Sequence, residues 1–378
     1  MASTSLPNQS FVYDKLPDRS IRLLDIIEQE NKPNRFGLQL NTYQMNDAPD
    51  FNALSYVWGE SVDTTRLPCW SERDSPAAEI NVTSNLLHAL PFLKAASSRP
   101  IWIDAICINQ GSDDEKSEIV PMMGEYYGRA AEVLIWLGPR GNNSDLAMDV
   151  LRWIWFPQQQ ELLQHSFCEP HGLLKPSELT SISSALRDGV HIRDIARDIA
   201  RLGIPKAGHA LWSALPSLYR REWFFRVWTF QEIMLAKKAT VLCGDRAIPW
   251  TAFQQLGDKL ADTQLLWIDY PSGLDSFTPL RYLENPHQNG EWFWSYLRGA
   301  RDRLCRFKED RIFGMLALAP QSIQEKIKVV YCKEDPDNYI QVYRAATLAF
   351  LEELPLETVL TAVFSPGKTG TLPSWCPD

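Results

Sequence analysis

The sequence predicts an α/β protein with a parallel sheet flanked by helices, followed by a mainly helical C-terminal region. Short apolar runs of strand length alternate with amphipathic helices, which is typical of a sheet covered on both faces. Beyond Trp250 the strand signal ends and helical periodicity dominates. The strand-like runs that carry this prediction are Asn52–Trp58, Pro100–Ile106, Glu132–Leu137 and Ala239–Cys243.

Capping residues and apolar periodicity place helices between these strands. Ser112 and Glu115 form a capping box, in which two side chains satisfy the first free amides of a helix. Two earlier runs, Ser20–Gln29 and Arg35–Tyr43, are strand-like, whereas residues 60–79 are charged and loop-like. The predicted helices are Asn85–Ala95, Ser112–Arg129, Ser144–Trp155 and Arg221–Lys238.

The domain organisation follows from these changes in pattern. Residues 1–10 are expected to form a flexible tail and residues 11–250 the α/β domain. Long polar stretches predict an insertion in that domain at about 157–210, and residues 251–378 form the helical region. The turn-rich last residues, LPSWCPD, predict that the natural protein continues past Asp378.

Composition excludes several classes of function. The net charge is −9 and no basic block occurs, which argues against nucleic acid or an anionic membrane surface as partners. The seven cysteines are scattered without a CxxC motif, which argues against zinc and disulfides and favours a reducing compartment. No signal-peptide core and no apolar run of about 18 residues is present, so a cytoplasmic location is expected.

Motifs for common enzymes are missing from the sequence. There is no GxGxxG, GxxxxGK[ST], HExxH or GxSxG, and none of the six histidines pairs with another at metal-ligand spacing. Metal-dependent hydrolysis and Ser-His-Asp chemistry therefore have no support. Cys107 follows a predicted strand and is a candidate nucleophile, but a small apolar core residue is the favoured interpretation.

Glu232 is the most informative acidic residue. Trp228 lies one helical turn before it, so a carboxylate shares an otherwise apolar helix face, with no cation in helical reach. Burial of a lone carboxylate is costly. Two interpretations remain at this point, a tertiary ion pair and a catalytic role, and spacing alone favours the ion pair. Its candidate partners are Arg129, Arg221 and Arg226.

Polar and aromatic residues follow the predicted strands, where parallel α/β sheets bind ligands. Asp104 ends the second predicted strand and Asn109 follows in the next loop, and both interpretations, ligand binding or tying of loop amides, stay open. For Glu115 the capping box is the favoured explanation. The candidate residues after the first strand are Ser55, Tyr56, Trp58 and Gly59.

Three blocks of the sequence resemble the fungal heterokaryon incompatibility (HET) domain. They are FNALSYVWG at Phe51–Gly59, IWIDAICINQ through VLIWLG at Ile101–Gly138, and REWFFRVWTFQEIMLAKKATVLCG at Arg221–Gly244. KEDRIFGMLAL and the final LPSWCPD are similar to the family as well, so the resemblance spans nearly the whole chain. It implies a module that triggers regulated cell death when incompatible fungal cells fuse, or that serves related innate immunity.

The HET domain is similar in turn to Toll/interleukin-1 receptor (TIR) domains, which have a flavodoxin-like parallel sheet. By this resemblance ALSYVWG and IWIDA correspond to the first two TIR strands. Trp228 and Glu232 correspond to the TIR helix whose glutamate is catalytic in NAD-cleaving members. The resemblance therefore implies an NAD(P)+ glycohydrolase, with NAD or NADP as substrate and no prosthetic group. It also implies a homo-oligomer on activation and an incompatibility or receptor partner.

One carboxylate can suffice for this chemistry, because nicotinamide is a cation while bonded and leaves as a neutral molecule. Glu232 would stabilise positive charge developing on the ribose, and Trp228 would desolvate it. Trp58 or Tyr56 can stack on a base or on nicotinamide, and Arg226 or Arg221 can bind phosphates. The alternatives that the residues leave open are a non-catalytic death-signalling scaffold and a nucleotide sensor that binds without cleaving.

Overall fold

The structure is a computed structural model that describes residues 10–28, 36–59, 63–71, 77–156, 209–262, 290–301, 303–332, 337–360 and a few isolated positions. Contacts divide the chain into two compact units that alternate along the sequence. The first comprises Met1–Val133, Phe225–Lys237 and Tyr282–Asp378, and the second comprises Leu134–Phe224 and Lys238–Arg281. The predicted tail and insertion lie almost entirely outside the described residues, and the predicted boundary at residue 250 stays a prediction.

The first unit contains a mixed sheet. Its strand order is β5-β4-β2-β1-β6-β3, with β7 next. Strands β3 and β6 are parallel, as are β2 and β4, whereas β1 pairs antiparallel with both β2 and β6. The α/β class is confirmed, but a parallel sheet throughout is wrong. The strands are β1 Ser20–Glu28, β2 Phe36–Gln44, β3 Asn52–Tyr56, β4 Thr64–Trp70, β5 Ala78–Thr83, β6 Ile101–Trp102 and β7 Glu132–Trp136.

Short connections explain the antiparallel pairs. Only residues 29–35 separate β1 from β2, and a parallel crossover needs about a dozen residues or more. Residues 60–79, which were expected to form a loop, contain β4 and the start of β5. The N-terminal half of β4 is exposed, so it lacks the apolar pattern that marks a buried strand.

The helices of the first unit include two that differ from the prediction. Pro121 lacks a backbone N–H, and a 3-10 turn over Val120–Met122 divides the expected Ser112–Arg129 helix into α3 and α4. After only two strand residues in β6, helix α2 replaces the rest of the predicted strand. The helices are α1 Ser84–Ala96, α2 Asp104–Cys107, α3 Asp113–Ile119, α4 Met123–Arg129, α7 Trp228–Met234, α9 Gly290–Ala300, α10 Asp310–Phe313, α11 Gln321–Gln324, α12 Asn338–Leu351 and α13 Leu356–Leu360.

The predicted continuous helix over Arg221–Lys238 is wrong. A parallel β-bridge between Arg226 and Leu304 interrupts it, and α7 begins only at Trp228. The Val227 N–H donates to the Leu304 carbonyl at 3.1 Å, and the Leu304 N–H donates to the Phe225 carbonyl at 2.6 Å. These tertiary backbone bonds override a local helical preference.

The second unit contains the rest of β7, followed in strand order by β8 and β9. Strands β8 and β9 form an antiparallel hairpin, whose turn includes Gly244 at a φ of +54°. Asp149 is buried in α5 and pairs with Arg246 at 2.7 Å. The elements are β8 Ala239–Cys243, β9 Arg246–Pro249, α5 Ser144–Trp155, α6 Ala210–Tyr219 and α8 Trp250–Asp262. Within the described residues, every helix is too short or too polar to cross a membrane.

Candidate functional site

A cleft in the first unit brings together the end of β3, the start of α2 and helix α7. It has a volume of about 170 Å³. Aromatic side chains line much of it, and six charged side chains share the lining. The aromatic residues are Tyr56, Trp58, Trp228, Phe307 and Tyr331, and the charged ones are Asp104, Glu232, Asp310, Lys116, Arg226 and Arg306.

Glu232 lies on helix α7 and is 4% exposed. The Ser55 hydroxyl donates a hydrogen bond to its Oε2 atom. The Tyr127 hydroxyl lies beside the carboxylate and donates to the Leu54 carbonyl at 3.1 Å. Burial and the nearby charge of Asp104 raise the pKa of Glu232 to about 8, although Ser55, Arg226 and Tyr127 act in the opposite direction.

Two of the three arginines proposed as ion-pair partners of Glu232 bind other groups. Arg221 donates to the carbonyl oxygens of Leu137 and Pro139, at 2.8 and 2.9 Å. Arg129 pairs with Glu125 at 3.1 Å. Arg226 lines the cleft and acts on Glu232 through its charge. Of the three arginines, then, Arg226 is the one that the structure places with Glu232 in the cleft.

Asp104 holds groups of its own surroundings and also lines the cleft, and its role in ligand binding stays a prediction. Its carboxylate accepts the Trp58 indole N–H at 2.9 and 3.1 Å, and the Ala105 amide donates to it at 2.7 Å. Burial raises the pKa of Asp104 to about 6, against the effect of these hydrogen bonds and of Arg226. Asp104 therefore fixes the Trp58 ring while facing the space beside it.

Asn109 and Gly59 are not among the cleft-lining residues. The side-chain oxygen of Asn109 accepts the Gly111 backbone N–H at 3.0 Å, and the backbone N–H of Asn109 donates to the Glu115 carboxylate at 2.8 Å. Asn109 therefore stabilises its own loop. Gly59 has a φ of +80°, which makes it a turn residue. Tyr56, by contrast, lines the cleft, and its buried hydroxyl has no hydrogen-bond partner among the described residues.

Cys107 follows the interpretation that the sequence favoured, whereas the capping box at Glu115 is only half formed, because the Ser112 N–H donates to the Asn109 carbonyl and not to the Glu115 carboxylate. The Ser112 hydroxyl caps α3 by accepting the Glu115 amide at 3.1 Å. The Glu115 carboxylate pairs with the buried Arg22 at 2.5 Å. Cys107 is buried, and burial raises the pKa of its thiol to about 12, which suits a core residue.

Asp310 was not predicted as a site residue, although it lies within the family-like phrase KEDRIFGMLAL. Asp310 begins α10, is 3% exposed and lines the cleft. It accepts the Tyr331 hydroxyl at 2.8 Å, the Phe307 amide at 3.2 Å and the Trp228 indole N–H. Burial raises its pKa to about 6. The available signal was an acid two positions before the apolar run that begins at Ile312.

Burial separates the charges of the cleft. Glu232 and Asp310 are buried, whereas Arg306 is exposed and Arg226 is half-buried. Lys116 is held by Asp113 at 2.5 Å, and its ammonium lies over the Tyr331 ring at 5.4 Å. Of the cations, Arg306 and Arg226 lie toward solvent, whereas Lys116 is buried and paired with Asp113, so the buried acids that are not paired with a lysine are Glu232 and Asp310. Such a cleft complements a ligand with a cationic ring and an anionic tail.

Comparisons with known proteins identify the domain that contains most of this site. The family model described as "Heterokaryon incompatibility protein (HET)" matches residues 51–232. A relative from Neurospora crassa, "Heterokaryon incompatibility protein 6, OR allele", is 28% identical over 413 residues. That match covers 97% of this chain and 59% of the relative, so the chain spans about three fifths of the relative's length. No solved structure matches. Residues 51–232 are therefore a heterokaryon incompatibility (HET) domain.

Proposed function

We propose that this HET domain cleaves the bond between nicotinamide and ribose in NAD or NADP. The observation that carries the proposal is the position of Glu232, a buried carboxylate held by Ser55 on the wall of an aromatic cleft. A carboxylate with a raised pKa in a cleft is typical of a functional group. The family resemblance, which matches Glu232 to a catalytic glutamate, supports the same assignment.

The reaction needs no general acid. As the bond from ribose C1′ to the ring nitrogen breaks, the bonding electrons go to nitrogen and nicotinamide leaves neutral. Positive charge develops on the ribose ring, where the ionised Glu232 stabilises it in a partly desolvated site. Water then adds to C1′ and releases a proton. Each turnover converts one dinucleotide and one water into nicotinamide, an ADP-ribose product and one proton.

Charge and size in the cleft both suit this substrate. The buried carboxylates match the cationic pyridinium, and Arg226 and Arg306 match the pyrophosphate. The volume of about 170 Å³ is close to the ~150 Å³ of a cavity that admits benzene. The nicotinamide ring therefore fits inside, and the rest of the dinucleotide extends toward the cations near solvent.

Substitution of Glu232 by Gln tests the proposal. A glutamine side chain would keep an oxygen for the Ser55 hydroxyl but lose the negative charge, so nicotinamide release should fall at least about 100-fold, the scale of a lost electrostatic group. Chromatography of purified protein incubated with NAD and with NADP measures release. Exposed Glu118, changed to Gln, is the matched control and should retain full activity. Equal turnover by the two variants removes Glu232 from the mechanism.

A nucleotide sensor that binds without cleaving is the second candidate. The observation that favours it is the burial of Glu232, which raises the pKa of the carboxyl group and so opposes the ionised form that catalysis needs. Calorimetric titration with NAD, combined with chromatography of the same samples, separates the candidates. Binding without nicotinamide release over many hours supports the sensor, and release supports the enzyme.

At the level of the cell, we propose a role in heterokaryon incompatibility, which the name of the Neurospora relative suggests. Loss of the NAD pool would kill the fused cell. Induced expression in a fungal host should therefore arrest growth and deplete NAD, and the Glu232→Gln variant should do neither. Growth arrest by both proteins at unchanged NAD would instead indicate a signalling scaffold.

A further inference from the structure

We infer that the cleft selects its ligand by positive charge on an aromatic ring, with Asp310 as the positioning residue that sets this selectivity. The ligand class is a quaternary pyridinium, and the neutral reduced dihydronicotinamide ring is disfavoured. The inference rests on the proposed function for the identity of the ring. It adds a residue outside the stretch 51–232 that the family model matches.

Asp310 is surrounded by donors from three segments of the first unit. Its carboxylate accepts the Phe307 amide at 3.2 Å, the Tyr331 hydroxyl at 2.8 Å and the Trp228 indole N–H. With 3% of the residue exposed, the bonds are shielded from water. A buried carboxylate with three donors holds those donors in place more firmly than a solvated one does.

These bonds orient two rings that line the cleft, Trp228 and Tyr331. Because the polar edge of each ring is turned to the same anion, the anion fixes the direction of each ring. A hydrogen bond to a carboxylate also polarises the ring, and it makes the π face more negative. Trp58 and Asp104 repeat this indole–carboxylate arrangement in the same cleft, with N–H to oxygen distances of 2.9 and 3.1 Å.

Both the aromatic rings and the buried carboxylates of the cleft should stabilise a bound cationic ring. Negative π faces attract a cation, and tryptophan gives the strongest such interaction, so attraction of a ligand cation depends on Trp228, since the Lys116 ammonium already lies over the Tyr331 ring. The buried carboxylates, in a site shielded from water, add a charge interaction that falls off slowly with distance. A neutral ring of the same shape gains only contact area. Charge on the ring, rather than its outline, should therefore dominate recognition.

Binding of two small probes tests the inference without any bond cleavage. The probes are 1-methylnicotinamide, a permanent cation, and nicotinamide, its neutral counterpart, titrated into the full chain by calorimetry at about pH 7.5. Wild type should bind the cation at least about tenfold more tightly than the neutral ring. Asp310→Asn should reduce that ratio at least about fivefold, and Asp310→Glu, which restores the charge, should recover most of it.

Two further variants separate selectivity from folding. Asp50→Asn removes an exposed carboxylate outside the cleft and should leave the ratio unchanged. Trp228→Phe keeps a ring but removes the N–H that binds Asp310, so it should lower the ratio even if Asp310→Asn fails to fold. A wild-type ratio near one, or an unchanged ratio in a folded Asp310→Asn or Trp228→Phe, overturns the inference.

The outcome is independent of catalysis, because neither probe contains a ribose. Charge-selective binding without NAD turnover refutes the proposed function and leaves this inference standing. NAD turnover with equal binding of both probes supports the proposed function and refutes the inference.

Discussion

Three acids that line one cleft share a physical cause for their shifted pKa values. Glu232, Asp104 and Asp310 all lose water on folding, and burial is the largest cause of the rise in each pKa. Hydrogen bonds from Ser55, Trp58 and Tyr331 offset part of that rise. The acids therefore lower folding stability when ionised, which is the usual relation between a functional site and its stability cost.

The pH dependence of stability follows from the same shifts. Glu232 has a folded-state pKa of about 8 against an ordinary 4.5, so between these values the folded protein holds a proton that the unfolded chain releases. Stability should fall as pH rises, by up to about 1.4 kcal/mol per pH unit from this residue. Between pH 6 and 8 the pH dependence of the unfolding free energy that Glu232 causes can be separated from that of Asp104 and Asp310, because their pKa values are about 6.

Urea denaturation of wild type and Glu232→Gln across this pH window measures the contribution of Glu232. The glutamine variant should lose stability less steeply across the window, because it cannot titrate. It should also be the more stable protein at the upper end. Parallel slopes for the two proteins would show that Glu232 is ionised in the folded state at neutral pH.

At the same scale, the sequence predicted some site residues and missed others for definite reasons. Glu232 stood out because Trp228 lies one turn away on the same helix, although spacing alone favoured an ion pair and the catalytic interpretation came from the family resemblance. Asp310 depends on Trp228 and Tyr331, which are distant from it in sequence and meet it only through tertiary packing. Asn109 was predicted as a site residue because it follows a strand, but its side chain accepts a hydrogen bond from its own loop.

Among the secondary-structure elements, the order of strands and helices was largely predictable, and the pairing was not. Apolar runs marked β3, β7 and β8, and leucine spacing marked α1. Strand direction depends on connection length and on tertiary partners, so the antiparallel pairing of β1 with β6 could not be read from pattern alone. The break before α7 has the same origin, because Leu304 supplies its backbone partner.

Helix α4 contains two glycines for which substitution by alanine should have opposite effects on stability. A methyl group on Gly124 would overlap the Cβ atom of Ala317, whereas one on Gly128 would lie 3.8 Å from the nearest atom, the Leu235 carbonyl oxygen. Alanine is favoured over glycine in a helix by about 1 kcal/mol. We therefore expect Gly128→Ala to be neutral or stabilising, and Gly124→Ala to destabilise by about 1–3 kcal/mol through overpacking.

Urea denaturation followed by circular dichroism measures both glycine variants. The double variant Gly124→Ala with Ala317→Gly should recover part of the loss, because it removes the overlapping methyl group. Equal stability of the two single variants would mean that α4 shifts away from Ala317 at little cost.

For the whole molecule, net charge bears on self-association. The resemblance to TIR domains led us to propose that the chain is active as a homo-oligomer. Copies that each carry a net charge of −9 repel one another, and salt screens that repulsion because the Debye length falls from about 30 Å at 0.01 M to about 8 Å at 0.15 M. Association, and turnover with it, should therefore increase with ionic strength over this range.

Light scattering and NAD turnover, recorded on the same samples at several protein concentrations, test this expectation. Turnover per chain should rise with both concentration and salt as larger species form. Full turnover per chain in a dilute sample that scatters as a monomer would show that one copy is sufficient.

The bridge between Leu304 and the start of α7 has one more consequence. The Leu304 carbonyl accepts the Val227 N–H, and the Leu304 N–H donates to the Phe225 carbonyl. Backbone hydrogen bonds therefore join two segments that are remote along the chain. Glu232 lies downstream of one stretch and Asp310 downstream of the other. Main-chain hydrogen bonds thus tie the segment that leads to Asp310 to the start of the helix that carries Glu232, so the spacing of the two acids depends on backbone pairing as well as on side-chain packing.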